Sequence, residues 1–331
     1  MVTALNSSFN VIDSHTAGHP TRMILSGIPA LKGDTVREKR DYFQANFDAL
    51  RSGLLHEPRG HAAMVGLVPV PSAVAHYGAF FISSYVYLDM CGHATMGLAK
   101  TLAFTGQLTA ESGDNFTLET PAGVVTVGLA WSIDGSLQKV NIKNVPTYLG
   151  LENFRFSVDG VGDLSTDIVY GGMWYALVDA TALGYDLAPA NASTLMLAGS
   201  KIKNALKTAL SDMPLFQDAA TPSVLFYADE SADTATHFLV LESNKFDRSP
   251  CGTGTSARLT HLLHTGALRR DQTYFAKNIF GNRFEARFAG TATANGREAV
   301  VIEIEGSAFI TSQQNIFFEA GDPLAGGFLC S

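Results

Sequence analysis

Cys91-Gly92-His93-Ala94-Thr95 and Cys251-Gly252-Thr253-Gly254-Thr255 stand 160 residues apart in a chain of 331, close to half its length. Each pentad runs into an apolar helical pattern. Met96, Ala99, Leu102 and Ala103 share a face after the first, and Ala257 and Leu259 lead into Leu262 and Leu263 after the second. Both patterns stop at the same distance, in Thr105-Gly106-Gln107-Leu108 and Thr265-Gly266-Ala267-Leu268, where a glycine suits the left-handed residue that ends a helix. Strand-like residues 80–87 and 237–241 lead into the pentads. β-type runs follow them, at 116–118 with 124–129 and at 274–288. Because cysteine, turn and helix stop coincide, the chain reads as a duplicated α+β protein of two similar halves, each with a cysteine at the start of a helix. The connection is expected near 144–152, where Pro146 and Gly150 interrupt the pattern.

Composition narrows the function classes. Lys and Arg number 23 against 31 Asp and Glu, a net charge of −8 without basic runs, which argues against nucleic acid as partner. With 46% hydrophobic and 16% charged residues the chain is a well-buried globular protein, and its length suits two domains. Residues 61–88 carry no charged side chain, but Pro69, Pro71, Gly78, Ser83 and Ser84 break the stretch. Two buried strands, 64–70 and 79–88, are expected there instead of a membrane helix. The first ten residues show neither a basic nor an apolar leader region. Three cysteines, Cys91, Cys251 and Cys330, are too few for a disulfide framework, so a reducing, cytoplasmic setting is the expectation.

A cysteine at a helix N-terminus meets the positive end of the macrodipole, which is expected to lower its pKa, and the same first-turn amides can bind a carboxylate. Pseudo-twofold symmetry would set the two sulfurs on either side of a small anionic ligand in a common cleft, a geometry suited to inversion at carbon. One thiolate removes a proton from one face and the opposite thiol delivers one to the other. Plainer readings exist. Cys330 lies outside any motif and reads as a bystander. A disulfide between Cys91 and Cys251 would be an oxidised, inactive form. Zinc at Cys91, His93 and Cys251 lacks a CxxC or HExxH motif, and His15 with His19 is broken by Gly18 and Pro20. Gly252-Thr253-Gly254-Thr255-Ser256-Ala257 formally matches a dinucleotide loop with Asp271 downstream, but Asp247-Arg248-Ser249-Pro250 stands where an apolar strand is required.

Met90-Cys91-Gly92-His93 and Asp247-Arg248-Ser249-Pro250-Cys251-Gly252-Thr253-Gly254-Thr255 closely resemble the proline racemase family. Asp13-Ser14-His15-Thr16-Ala17-Gly18-His19-Pro20-Thr21-Arg22 and Glu57-Pro58-Arg59-Gly60-His61 resemble its opening motifs, and the likeness spans nearly the whole chain. It implies two pseudo-symmetric diaminopimelate-epimerase-like lobes, each a curved sheet round a central helix, with a cleft between them. The expected lobes are 1–148, to which residues from about 305 to 331 can return, and 149–304. It implies a two-base isomerase without cofactor or metal, with Cys91 and Cys251 as the bases. His93 and Asp247 would contact the ring nitrogen of an imino acid substrate, and amides at Gly92, His93, Gly252, Thr253, Gly254 and Thr255 would hold its carboxylate. The plainer roles are a capping carboxylate for Asp247 and a satisfied, partly buried imidazole for His93. No membrane partner is implied, and a homodimer is compatible.

Relatives that dehydrate 3-hydroxyproline carry threonine at the position of Cys251, so retention of both thiols points to racemisation or epimerisation. Proline-specific racemases are similar in enclosing the ring with three phenylalanines. Here Phe81 is kept and Val65 and Leu241 take the other two places, which leaves room for a ring hydroxyl and favours 4-hydroxyproline over proline. Two departures bear on the substrate: His19 replaces the family's usual glutamate, and Ser84-Tyr85-Val86-Tyr87 a more glycine-rich approach. A two-lobed amino-acid binding protein is the alternative outside enzymes.

Overall fold

The computed structural model describes residues 7–217 and 219–330; residues 1–6, part of the stretch read for a leader, lie outside the described residues. The chain divides into two compact units, one formed by residues up to Ile142 with those from Gly306 onward, the other by Lys143–Glu305.

In the first unit, strands Ser7–Thr16 and His19–Ser26 form a hairpin around Ala17-Gly18, both at positive φ (48° and 92°). Opposite each other across it, Asp13 and Arg22 make a buried two-point ion pair at 2.9 and 2.8 Å. The same guanidinium donates to the carbonyls of Leu54 and Arg59, so nearly all its donors are spent, the condition under which a buried charge is tolerated. The opening motif therefore ties the hairpin to the end of helix α1 (Val36–Leu55), which starts at a Thr35/Glu38 capping box.

The sheet of this unit runs Ala308–Phe318, Ser7–Thr16, His19–Ser26, Val65–Val70, Tyr77–Ser83, Asn115–Thr120, Gly123–Trp131. Successive pairings are antiparallel, antiparallel, parallel, antiparallel, parallel, antiparallel. Helix α2 (Gly92–Phe104) packs against both the first and the last strand of that order, so the sheet curls round it. Helix α1 covers the outer face, with Phe43 over Phe80, Ile82 and Val68.

The second unit repeats the scheme. Its strands run Tyr148–Val158, Gly162–Tyr170, Trp174–Asp179, Ser223–Ser231, Thr234–Glu242, Tyr274–Asn278, Arg283–Ala294, with the same succession of senses. Helix α3 (Ala192–Ala209) lies outside, where Ile202 and Leu206 join the cluster of Phe226 and Val240. Helix α4 (Gly252–His264) packs against the strands at both ends. The wrapped helices α2 and α4 are each 13 residues long. Gly106 and Gly266 follow them at φ 74° and 72°, and the amides of Leu108 and Leu268 bond back to Leu102 and Leu262, both at 3.1 Å. The α+β expectation and the 160-residue repeat thus describe real elements.

Local boundaries differ from the sequence reading. Residues 80–87 are not one strand: Tyr77–Ser83 ends where the Ser83 hydroxyl accepts the amides of Tyr85 and Val86, and only Tyr87–Leu88 resumes pairing. Residues 148–152, expected in the connection, begin the strand Tyr148–Val158, because Gly150 makes room for Trp174 (an added Cβ would stand 2.5 Å from its ring) instead of breaking the strand. The run 274–288 is split by a turn into Tyr274–Asn278 and the start of Arg283–Ala294. Among the described residues no helix is long and apolar enough to cross a membrane.

The helix-ending glycines offer a test of the repeat. Both sit at positive φ with nothing within 4 Å of an added Cβ, so only backbone strain opposes alanine. Gly106→Ala and Gly266→Ala should each cost about 1 kcal/mol in urea denaturation. A difference between them well beyond that figure would show that the two helix ends are not equivalent.

Candidate active site

Cys91 precedes α2 in extended backbone (φ −147°), with its side chain at the helix mouth. Its sulfur lies 3.5 Å from each ring nitrogen of His93. Thr95 returns its amide and hydroxyl to the Cys91 carbonyl at 3.0 and 2.9 Å, and the Thr16 hydroxyl donates to the His93 carbonyl at 2.8 Å. The second hairpin strand lays the His19 ring edge-on against His93, centroids 4.3 Å apart. Gly97 lets α2 approach the hairpin that carries His19, since a Cβ there would stand 2.8 Å from Ser14 Oγ. Cys91, His93 and His19 are all buried.

In the second unit Cys251 occupies the same place before α4 but in a left-handed conformation (φ 64°), a strained position for a residue with a Cβ. A chain of short contacts holds it. The Asp247 carboxylate accepts the Ser249 amide and hydroxyl, both at 2.8 Å, and Ser249 Oγ accepts the Cys251 amide at 3.1 Å. His237, buried, donates Nδ1–H to the Pro250 carbonyl (3.1 Å), which leaves Nε2 to accept from the Tyr274 hydroxyl (2.8 Å). Burial holds this imidazole neutral, its pKa down at about 3. The turned-back conformation brings the Cys251 sulfur to the Gly254 amide (3.2 Å), the Tyr175 hydroxyl (3.5 Å) and the Thr253 hydroxyl (3.7 Å).

Two expectations need correction here. The Cys251 thiol is not acidic: burial first, and the nearby Asp247 charge second, push its pKa up to about 12, against the smaller opposing pull of Tyr175, Gly254 and Thr253. The anion cradle is also narrower than the motif suggests. The Gly254 amide is spent on the sulfur and the Thr255 amide on the Cys251 carbonyl at 2.8 Å, leaving Gly252 and Thr253 as the amides of the first turn. Asp247 does act as a cap within its loop.

Of the expected ring-lining residues, Val65 and Phe81 lie on one face of the paired strands Val65–Val70 and Tyr77–Ser83, opposite the Phe80 and Ile82 side that packs on α1. Both are fully buried in the first unit. Leu241, partly exposed, joins the cluster of Cys251, Tyr175, Leu225 and Leu239 in the second. Phe81 and Leu241 each stand ten residues before their cysteine. Cys330 is exposed near the C-terminus, and none of the three cysteines is in a disulfide.

The sequence reading missed Tyr175 and Ser249. Tyr175 had one visible signal, the preceding Gly171-Gly172. A Cβ at Gly171 would stand 2.2 Å from the Thr253 carbonyl, so the turn must carry glycine to rest on the mouth of α4. In each unit the second strand of the corresponding hairpin thus sets a side chain on the residue two beyond the cysteine, His19 on His93 and Tyr175 on Thr253.

Residues 11–329 match the family model for proline racemase. The chain is 34% identical to a proline racemase of Clostridioides difficile over 97% of this chain and 98% of the relative. It is 36% identical to a 4-hydroxyproline 2-epimerase of Streptosporangium roseum (97% and 98%) and 33% identical to a trans-3-hydroxy-L-proline dehydratase of Colwellia psychrerythraea (97% and 92%). A solved hydroxyproline epimerase from Agrobacterium vitis with bound trans-4-hydroxy-L-proline superimposes with a TM-score of 0.89 at 26% identity, covering 98% of this chain and 96% of that one.

The ionisation state of Cys251 is directly measurable. At pH 8 a thiol titrating at about 12 is thiolate in about one molecule in ten thousand, so iodoacetamide should label Cys251 far more slowly than Cys330, with a rate still rising about tenfold per unit above pH 9. Asp247→Asn keeps the oxygen that caps Ser249 and removes the charge, and should accelerate labelling of Cys251 severalfold. Peptide mapping reads both sites.

Proposed function

The chain belongs to the proline racemase family, an isomerase family, and from that premise we propose that it inverts the α-carbon of a proline-class imino acid with Cys91 and Cys251 as the acid–base pair. One observation carries the reading. Two structurally repeated helices each begin at a buried thiol, with the His93 ring beside the Cys91 sulfur and Gly254, Tyr175 and Thr253 beside that of Cys251. Inversion without a cofactor requires one group that accepts a proton and another that returns one, and a pair sharing one proton between two sulfurs meets that requirement.

The raised pKa of Cys251 fits this chemistry. Burial and the Asp247 charge hold the thiol protonated. A ring ammonium placed against Asp247 offsets that negative charge, which favours thiolate and lets the thiol act as a base once the substrate is bound. The carboxylate is assigned to the first-turn amides of α2 and of α4, there Gly252 and Thr253. Val65 and Leu241 in place of phenylalanines support a substrate with a ring hydroxyl, and the proposed activity is 4-hydroxyproline 2-epimerisation. Proline is the competing substrate, since an apolar pocket discriminates weakly against a ligand that merely lacks a hydroxyl. The thiol at Cys251 supports inversion over dehydration of 3-hydroxyproline.

Polarimetry on L-proline, trans-4-hydroxy-L-proline and trans-3-hydroxy-L-proline, with α-proton exchange followed in heavy water, tests the reading. Inversion and exchange are expected with the 4-hydroxylated substrate foremost. Cys91→Ala and Cys251→Ala should each lose at least about a hundredfold in turnover. Full turnover in either variant rejects the two-thiol mechanism, release of a ketimine indicates dehydration, and binding without exchange indicates a binding protein.

A further inference from the structure

Tyr175, Thr253 and Cys251 form a closed triangle of three groups that each carry one hydrogen and each accept one. The Tyr175 and Thr253 hydroxyls are in short hydrogen-bond contact, the Tyr175 hydroxyl is 3.5 Å from the Cys251 sulfur, and the Thr253 hydroxyl is 3.7 Å from it. All three side chains are buried, Tyr175 to 1% exposure. The Gly254 amide points at the sulfur as a fixed fourth member.

Resting on the reading that Cys251 is one of the two bases, we propose that Tyr175 is a positioning residue that lets this sulfur serve as both thiolate and thiol, by turning its hydroxyl hydrogen between the sulfur and Thr253. A buried thiolate needs donors and a buried thiol needs an acceptor, and a fixed N–H supplies only the first. With Cys251 as thiolate, Thr253 donates to Tyr175 and Tyr175 donates to the sulfur, a chain in which each bond polarises the next. When the substrate Cα–H bond breaks and an S–H bond forms, the triangle reverses. The thiol donates to Tyr175, Tyr175 donates to Thr253 and the two hydroxyls rotate, with no O–H bond broken and no heavy atom displaced. Burial raises the Tyr175 hydroxyl well above its ordinary pKa, so it stays a neutral donor and does not compete for the proton. Gly171 and Gly172 are the structural requirement of the device, since the first lets the turn before Tyr175 close on the Thr253 carbonyl and the second on the Thr253 methyl.

Tyr175→Phe in the full chain removes the reversible donor and keeps the ring. The pH profile of Cys251 alkylation in the substrate-free protein, read by peptide mapping, should move upward by about one pH unit, with about tenfold slower labelling at pH 9. Turnover should fall about tenfold with KM changed less than about twofold, because the lost interaction belongs to the sulfur and not to substrate binding. A labelling profile that superimposes on that of the parent protein overturns the proposal. Thr253→Val, which removes the hydroxyl that polarises Tyr175, should move the profile the same way by a smaller amount. Should Tyr175→Phe fail to fold by circular dichroism, an unmoved Thr253→Val profile overturns the proposal instead. Labelling does not depend on turnover, so full activity in Cys251→Ala would reject the catalytic reading while leaving the effect of Tyr175 on the sulfur measurable.

Discussion

A helix enclosed by its own sheet has its sides committed to packing and its first-turn amides committed to nothing within the helix. That constraint governs both units. Helices α2 and α4 each touch the first and last strands of a seven-strand order, so their flanks are covered and only an end remains for chemistry. Small residues make the enclosure possible where chains approach closest. Gly97 lets α2 meet Ser14, and Gly171 lets a hairpin turn rest on the Thr253 carbonyl. The cysteines stand immediately before that end, as the residues preceding α2 and α4.

The two units solve this problem with different backbones. Cys91 is extended and its sulfur meets an imidazole, whereas Cys251 is left-handed and its sulfur turns back onto an amide and two hydroxyls. Strain at Cys251 is of the order of 1–3 kcal/mol by analogy with other residues in sparsely populated backbone regions. It is held by a run of contacts from Asp247 through Ser249 to the Cys251 amide, and by His237 on the Pro250 carbonyl. A duplicated scaffold thus carries two unlike sulfur environments, which suits the proposed acid–base pair, whose members would hold different protonation states at the same moment.

Magnitudes explain why a helix terminus does not make Cys251 acidic. A helix terminus contributes about 0.3–2 kcal/mol toward an anion. Moving a thiol from its ordinary 9.0 to about 12 corresponds to about 4 kcal/mol against it. Burial, with Asp247 added, outweighs the helix terminus. On the proposed reading, the ammonium of the substrate offsets part of this cost.

Sequence by itself determined the duplication, the two cysteine positions, the extent of α2 and α4 and the glycines that end them. These are local: a 3.6-residue period, a left-handed stop and an offset of 160 survive in one dimension. The opening motif was visible as a motif, but its role as the Asp13–Arg22 tie to α1 was not. Only the tertiary structure decided which amides remain for an anion, which way each sulfur points and that Tyr175 stands 76 residues before the thiol it touches. Charge state and hydrogen-bond partners follow from desolvation and distance, and both come into being only when strands remote in the chain close round the helix.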